Sequence, residues 1–246
     1  MDIIWFNTID STNKEALRQL ETADDFTVFA AEYQTAGRGQ KGTSWESAPG
    51  KNLTFSLILK PDSLRADNQF VISQIVTLGI VSYLKKLSIE AKIKWPNDIY
   101  VGDKKICGIL IENMIEGANL SASIVGIGLN MNQDVFVSDA PNPTSVKLIK
   151  GEEFELKDEL QKLSSAIYDI YYPYKSFASG NLADKISSHY HNSLYRLEEF
   201  HGFQKTPEGE IFDGRIMGIS SNACLIIERR DSSTSEYAFK EIKYIL

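Results

Sequence analysis

Gly37-Arg38-Gly39-Gln40-Lys41-Gly42 sets one arginine and one lysine in a frame of three glycines. Backbone N–H groups in such a frame converge on phosphate oxygens, with Arg38 offering a bidentate fork and Lys41 a point charge. The competing reading is a surface loop with scattered charge. The string also satisfies G-x-G-x-x-G, but a dinucleotide fingerprint needs a helix opening on its last glycine and an acidic residue about 20 positions further on. Pro49-Gly50 stands where the helix body should be, so the segment reads as a loop between strands. Trp45, just beyond it, either closes over a bound ligand or anchors the loop in the core.

A second pair of chemical groups sits on a hairpin. If Val101 faces Lys104 across the Gly102-Asp103 turn, pairing continues as Tyr100 with Lys105, Ile99 with Ile106 and Asp98 with Cys107. Asp98 and Lys105 then share a face as diagonal neighbours, roughly 7 to 8 Å apart. They form either a solvated surface pair or two contacts to one bound anion or metal-phosphate group. In Ser123 to Met131, a period of two puts Gly126, Gly128 and Asn130 on one face and Val125, Ile127, Leu129 and Met131 on the other. Two glycines in register leave room for a ligand, for another backbone, or for a packed helix.

Other chemistries lack their residues. His189, His191 and His201 have no Cys or carboxylate pattern of a zinc site. No G-x-S-x-G and no Cys nucleophile context appears. The glycine loop has none of the lysine, H-R-D and D-F-G partners of a protein kinase.

The elements that position these residues follow from periodicity. Strands are expected at Ile3 to Phe6, Phe26 to Tyr33, Leu53 to Leu59, Lys92 to Trp95, Ile99 to Val101, Lys105 to Glu112 and Ser123 to Met131. A helix starts at Asp10-Ser11-Thr12-Asn13 and runs through Leu20, with Thr12 and Glu15 in the pattern of a capping box. Asp67 to Leu87 is a long buried helix ending in Lys85-Lys86, which suits a helix C-terminus. Asp134 to Thr144 reads as a loop, and helices follow at about Leu156 to Tyr171 and Leu182 to Leu194. From about Glu198 the chain turns to short strands with turn signals, a spacing that suits a small SH3-type barrel docked on the main domain.

With 246 residues and 43% hydrophobic content the chain has enough material for one sizeable domain plus a small appendage. The formal net charge of −7 argues against nucleic acid as the main partner. Cys107 and Cys224 form no C-x-x-C and no secretory signal is visible, so a reducing cytoplasm is expected. No apolar run reaches the roughly 18 residues that span a bilayer.

Four segments fall into one order: Asp10-Ser11-Thr12-Asn13; Glu32 to Gly39 with Trp45; Lys94-Trp95-Pro96-Asn97-Asp98 with Lys105 to Glu112; and Gly126-Ile127-Gly128-Leu129-Asn130. Together they resemble the biotin protein ligases over residues 1 to about 135, and the tail is similar to that family's small C-terminal domain. The resemblance implies an α+β fold related to class II aminoacyl-tRNA synthetases: a mixed, mostly antiparallel sheet flanked by helices over residues 1–197, and an SH3-like barrel over 198–246. It implies that biotin's carboxylate attacks the α-phosphate of ATP, giving biotinyl-5'-AMP and pyrophosphate, and that a lysine of a biotin carboxyl carrier protein then takes the biotinyl group. Lys105 would hold the carboxylate and reach the α-phosphate, Arg38 would close over the adenylate, and Asp98 would position Mg²⁺. Ser11, Thr12 and Gln34 would bind the ureido head, with Gly108, Gly126 and Gly128 giving it room. Asn13, Gly37, Gly39, Gln40, Trp45, Lys94, Asn97 and Asn130 complete the implied substrate-binding set. A monomer or homodimer is implied, with neither nucleic acid nor membrane as partner. Gln40 stands where many family members carry a further arginine. No helix-turn-helix fits ahead of Ser11, so operator binding is not expected. A lipoate-protein ligase or octanoyltransferase of the same superfamily, and a non-catalytic binding module, are the alternatives.

Overall fold

Leu53–Leu59 is buried along its whole length, because it lies inside a sheet that is covered on both faces. The computed structural model describes residues 1–40, 43–137, 142–175 and 180–245. Its main sheet contains β1 (Ile3–Ile9), β2 (Val28–Gln34), β3 (Leu53–Leu59), β4 (Lys92–Lys94), β5 (Asp98–Val101), β6 (Lys104–Glu116) and β7 (Asn119–Leu129). The strands run in the order β1-β2-β3-β7-β6-β5-β4. β1 and β2 pair in parallel across α1 (Thr12–Arg18), and the other neighbours are antiparallel.

Strand parity separates two faces. Val28, Ala30, Leu57 and Val125 point into the large core, which contains α2 (Phe70–Lys86) with α4 (Leu156–Tyr174) and α5 (Gly180–Asn192) packed on it. Each fully buried α2 side chain, such as Ile72, Ile75 or Ile80, contributes about 1.5–3 kcal/mol, so this layer is the main source of stability. Phe29, Ile58 and Ile124 point the other way and meet Ala16 of α1. α1 is only 7 residues long and covers one end of its face. The remainder of that face, carrying Ser56, Gly108, Gly126 and Gly128, is where a cavity forms.

Two expectations are corrected and one element is added. The β5–β6 hairpin keeps Val101↔Lys104 and Tyr100↔Lys105, but a bulge follows, so Ile99 faces Cys107 and Asp98 faces Gly108. The inserted residue is Ile106, which with Cys107 is 0% exposed. The bulge lets two consecutive apolar residues enter the core and reverses the parity beyond them. The capping box is also absent, because Ser11 and not Thr12 is the N-cap. Thr12 is drawn into hydrogen bonds with Gln34 and Ser56, and Glu15 is engaged by Arg18 and Gln19. Finally, a short helix α3 (Val146–Lys150), capped by the Ser145 hydroxyl, follows the loop after β7.

The tail builds a five-stranded antiparallel sheet from β8 (Phe200–Lys205), β9 (Ile211–Ile219), β10 (Leu225–Arg229), β11 (Thr234–Tyr237) and β12 (Ile242–Tyr244), ordered β11-β10-β9-β8-β12. It is tied to the larger sheet by Trp95 Nε1 donating to the Ala223 carbonyl at 3.1 Å, by Trp95 edge-on to Phe239, and by Arg196 Nη1 donating to the Ile245 carbonyl. Among the described residues no helix is long and apolar enough to cross a membrane.

Candidate functional site

The bulge in β6 has a chemical consequence. Strict alternation would place Lys105 and Gly108 on opposite faces. With one extra residue between them both face the cavity, and a Cβ on Gly108 would lie 3.3 Å from Lys105 Nζ. Asp98 and Lys105, diagonal neighbours on this face, meet directly, Oδ1 to Nζ at 2.8 Å, with about a quarter of each side chain exposed. Backbone clamps hold the lysine in place: Lys105 N–H donates to the Asn142 carbonyl and Thr144 N–H donates to the Lys105 carbonyl. At the hairpin turn, Asp103 accepts from the Tyr195 hydroxyl and from Arg196.

The cavity encloses about 680 Å³, within the usual range for a small-molecule site. Of the residues singled out in the sequence, Ser11, Thr12, Asn13, Gln34, Arg38, Gly39, Gln40, Trp45, Lys94, Asp98, Lys105, Gly108, Gly126, Gly128 and Asn130 line it. Gly37 and Asn97 stand behind the lining. Gly37 accepts from Trp45 N–H, and Asn97 accepts from Gln40 Nε2 at 3.2 Å while donating to the Ile109 carbonyl at 2.6 Å. Lys41 and Gly42 lie outside the described residues.

At one end the floor is polar and interlocked. Gln34 Oε1 accepts from Thr12 N–H at 2.8 Å and contacts the Thr12 hydroxyl at 3.2 Å, which leaves the Gln34 NH₂ as a donor. Ser56 Oγ lies 2.7 Å from Thr12 Oγ1 and 2.6 Å from Asn13 Oδ1. At the other end are cations. Lys94 Nζ contacts the Tyr100 hydroxyl at 3.2 Å and lies over the Tyr244 ring, and burial pulls its ammonium below its ordinary value. Burial likewise pushes the Tyr100 phenol up.

Trp45 spans the middle. A Cβ on Gly128 would come within 2.2 Å of its ring, so the glycine face is filled partly by this indole. Gly126 is occupied by Asn13, its absent Cβ falling 2.1 Å from Asn13 Oδ1. Helix packing and loop packing thus both use the bare face, and the cavity takes what remains. Trp45 Nε1 and Asn130 Oδ1 are buried without a hydrogen-bond partner among the described residues. Among the described residues no group of three or more His, Cys, Asp or Glu could hold a metal by itself.

Sequence reasoning missed Ser56, Tyr100 and the role of Glu112. A signal for two of them existed: alternation puts Thr54 and Ser56 on one face of β3, and Gly108, Leu110 and Glu112 on one face of β6. Phe136 and Val137, which also line the cavity, come from an irregular loop with no such pattern.

Known proteins resemble this chain in sequence and in fold. A family model described as the biotin/lipoate A/B protein ligase family matches residues 5–130, just over half of the 246-residue chain. Similar relatives include the bifunctional ligase/repressor BirA of Bacillus subtilis, 30% identical over 228 residues that cover 89% of this chain and 61% of that protein. The biotin--[acetyl-CoA-carboxylase] ligase of Paracoccus denitrificans is 29% identical over 163 residues, 64% of this chain and 68% of that protein. Among solved structures, the biotin protein ligase of Aquifex aeolicus in complex with biotin and ATP superposes with a TM-score of 0.77, at 25% identity, over 99% of both chains. The chain spans about three fifths of the length of the Bacillus relative.

Proposed function

Because this chain belongs to the biotin/lipoate A/B protein ligase family, we propose that it activates biotin with ATP and transfers the biotinyl group to a lysine of a biotin carboxyl carrier protein. In the first step a carboxylate oxygen of biotin attacks the α-phosphorus of ATP, and the bond to pyrophosphate breaks. In the second, the carrier amine attacks the acyl carbon of biotinyl-5'-AMP, losing a proton as AMP departs. The observation that carries this reading is one cavity with a polar, interlocked floor at Ser11, Thr12 and Gln34 and the Lys105–Asp98 pair and Arg38 above it.

Each role follows from chemistry the side chain can perform. A ureido group presents one carbonyl acceptor and two N–H donors, which suit the Gln34 NH₂ and the Ser11 and Thr12 hydroxyl oxygens. Gly108, Gly126 and Gly128 keep the path to the floor free of side chains, with Trp45 and Asn13 as its walls. Lys105 holds the biotin carboxylate and reaches the α-phosphate. Arg38, in the frame of Gly37 and Gly39, lies over the adenylate with donors in fixed geometry. Lys94 adds a further cation, and Gln40 and Asn130 offer amides to the nucleotide, with Asn97 holding Gln40 from behind the lining. Both steps develop negative charge on phosphate or acyl oxygens, so fixed donors lower the barrier without a protein nucleophile.

Mg²⁺ is bound through one or two carboxylates together with substrate phosphates, and Asp98 supplies one carboxylate oxygen besides that bonded to Lys105. The donor set fits such an ion, which when bound would neutralise phosphate charge. Residues 198–246 are read as a C-terminal domain docked on the main one, supported by their own five-stranded sheet. Incubation with ATP, Mg²⁺ and either biotin or lipoate, followed by mass detection of the acyl-adenylate, tests the whole reading. Biotinyl-AMP is expected; lipoyl-AMP alone, or no adenylate, overturns it.

A further inference from the structure

We infer that Glu112 is a positioning residue that couples the floor of the cavity to the glycine loop, by holding Asn13 and Arg38 with one carboxylate. Glu112 Oε2 accepts from Asn13 Nδ2 at 2.7 Å and from Arg38 Nη2 at 2.8 Å; Oε1 lies 3.1 Å from the same Arg38 nitrogen. Asn13 and Arg38 both line the cavity and Glu112 does not, so it acts through them.

The placement follows from the strand. Gly108, Leu110 and Glu112 share the cavity face of β6, and Glu112 sits at its far end beside α1. There the carboxylate ends a hydrogen-bonded row that runs Gln34, Thr12, Ser56, Asn13. The row joins the residue that enters the glycine loop, Gln34, to the arginine inside it. Movement of either end is therefore felt at the other.

The geometry also explains why the pair does not silence Arg38. A guanidinium has five N–H donors, and Glu112 touches only Nη2. Nη1 and Nε remain for an anion, held in orientation by a carboxylate that is about one-third exposed. Hydrogen bonds to charged groups are the strong ones, so this single side chain fixes both neighbours more firmly than neutral partners would.

The inference rests on the biotin-ligase reading of the cavity. Full-length protein and the variants Glu112→Ala and Glu112→Gln are compared in two assays: calorimetric biotin binding without ATP, and pyrophosphate exchange resolved into kcat and KM for ATP. Glu112→Ala is expected to weaken biotin binding and adenylate formation by about tenfold each, the loss of one charged hydrogen bond on either side. Glu112→Gln keeps an acceptor for Asn13 but no charge for Arg38, so biotin binding stays within about threefold while adenylate formation still falls about tenfold. A double-mutant cycle on Asn13→Ala and Arg38→Ala, whose side chains are joined through Glu112, is expected to be non-additive with Glu112 present and additive in Glu112→Ala. If Glu112→Ala does not fold, Glu112→Gln and the cycle in the native background decide. An additive native cycle, or variants with lowered melting temperature and unchanged constants, overturns the coupling role. If native protein forms no biotinyl-AMP, the underlying functional reading falls; if it does and the Glu112 variants match it, only this inference falls.

Discussion

Gly126→Ala is the substitution whose effect the geometry defines most closely. A Cβ at position 126 would lie 2.1 Å from Asn13 Oδ1 and 2.9 Å from Asn13 Cγ. Ordinary van der Waals contact requires more than 3 Å, so the Asn13 side chain must retreat by roughly 1 Å. Its bonds to Ser56 and Glu112 are 2.6 and 2.7 Å long, and stretched by that amount neither is a hydrogen bond. The neutral bond contributes about 1 kcal/mol and the charged one about 2 kcal/mol. Against this, alanine restricts the unfolded chain and returns up to about 1 kcal/mol. A net destabilisation of about 2 kcal/mol is expected, read as a lower urea midpoint at unchanged m-value. Biotin affinity should fall by at least about tenfold, because the row that orients Thr12 and Gln34 is broken. A Gly126→Ala protein that keeps both its urea midpoint and its biotin affinity refutes the claim that Asn13 fills this face and organises the floor.

Lys105→Ala and Arg38→Ala are each expected to slow adenylate formation by roughly 10²- to 10³-fold, as loss of a transition-state donor does; near-normal pyrophosphate exchange in both would contradict their assigned roles. Gln40 is tied to Asn97 at the cavity edge, and Gln40→Arg should slow escape of biotinyl-AMP by restoring a cation near its phosphate, so an unchanged release rate counts against it. Burial holds the Lys94 ammonium below its ordinary 10.5, so between that depressed value and 10.5 this side chain binds more protons in the unfolded chain than in the folded one and its own contribution to stability rises with pH. Lys94→Met should remove that contribution, so the native urea midpoint gains on that of the variant as pH approaches 10.5; parallel pH profiles for the two proteins would show that Lys94 makes no such contribution.

Local periodicity was enough to place the strands, the long α2, the bare glycine face and the first two pairs of the β5–β6 hairpin, because each depends on neighbours within a few residues. It was enough, too, to reject the dinucleotide reading, since Pro49-Gly50 forbids the helix. The bulge at Ile106 was not legible, because alternation predicts a continuous ladder and only the demands of the core, burying Ile106 and Cys107 together, displace it. What that displacement changed is the face of Gly108, which now lies beside Lys105, whereas Asp98 and Lys105 stay diagonal neighbours and meet at 2.8 Å through the reach of the lysine side chain. The capping box failed for a similar reason: a tertiary partner, Ser56, competes for Thr12 more effectively than the local backbone does.

The amino-acid sequence by itself determined which residues stand on which face of the unbroken strands, β6 beyond its bulge excepted, and hence most of the groups available to a site. Tertiary structure alone decided which of them meet. Asn13 and Arg38 reach Glu112 across 99 and 74 residues of chain, and no spacing rule extends that far, because the meeting depends on how the sheet stacks β6 beside α1 and on where the glycine loop comes to rest.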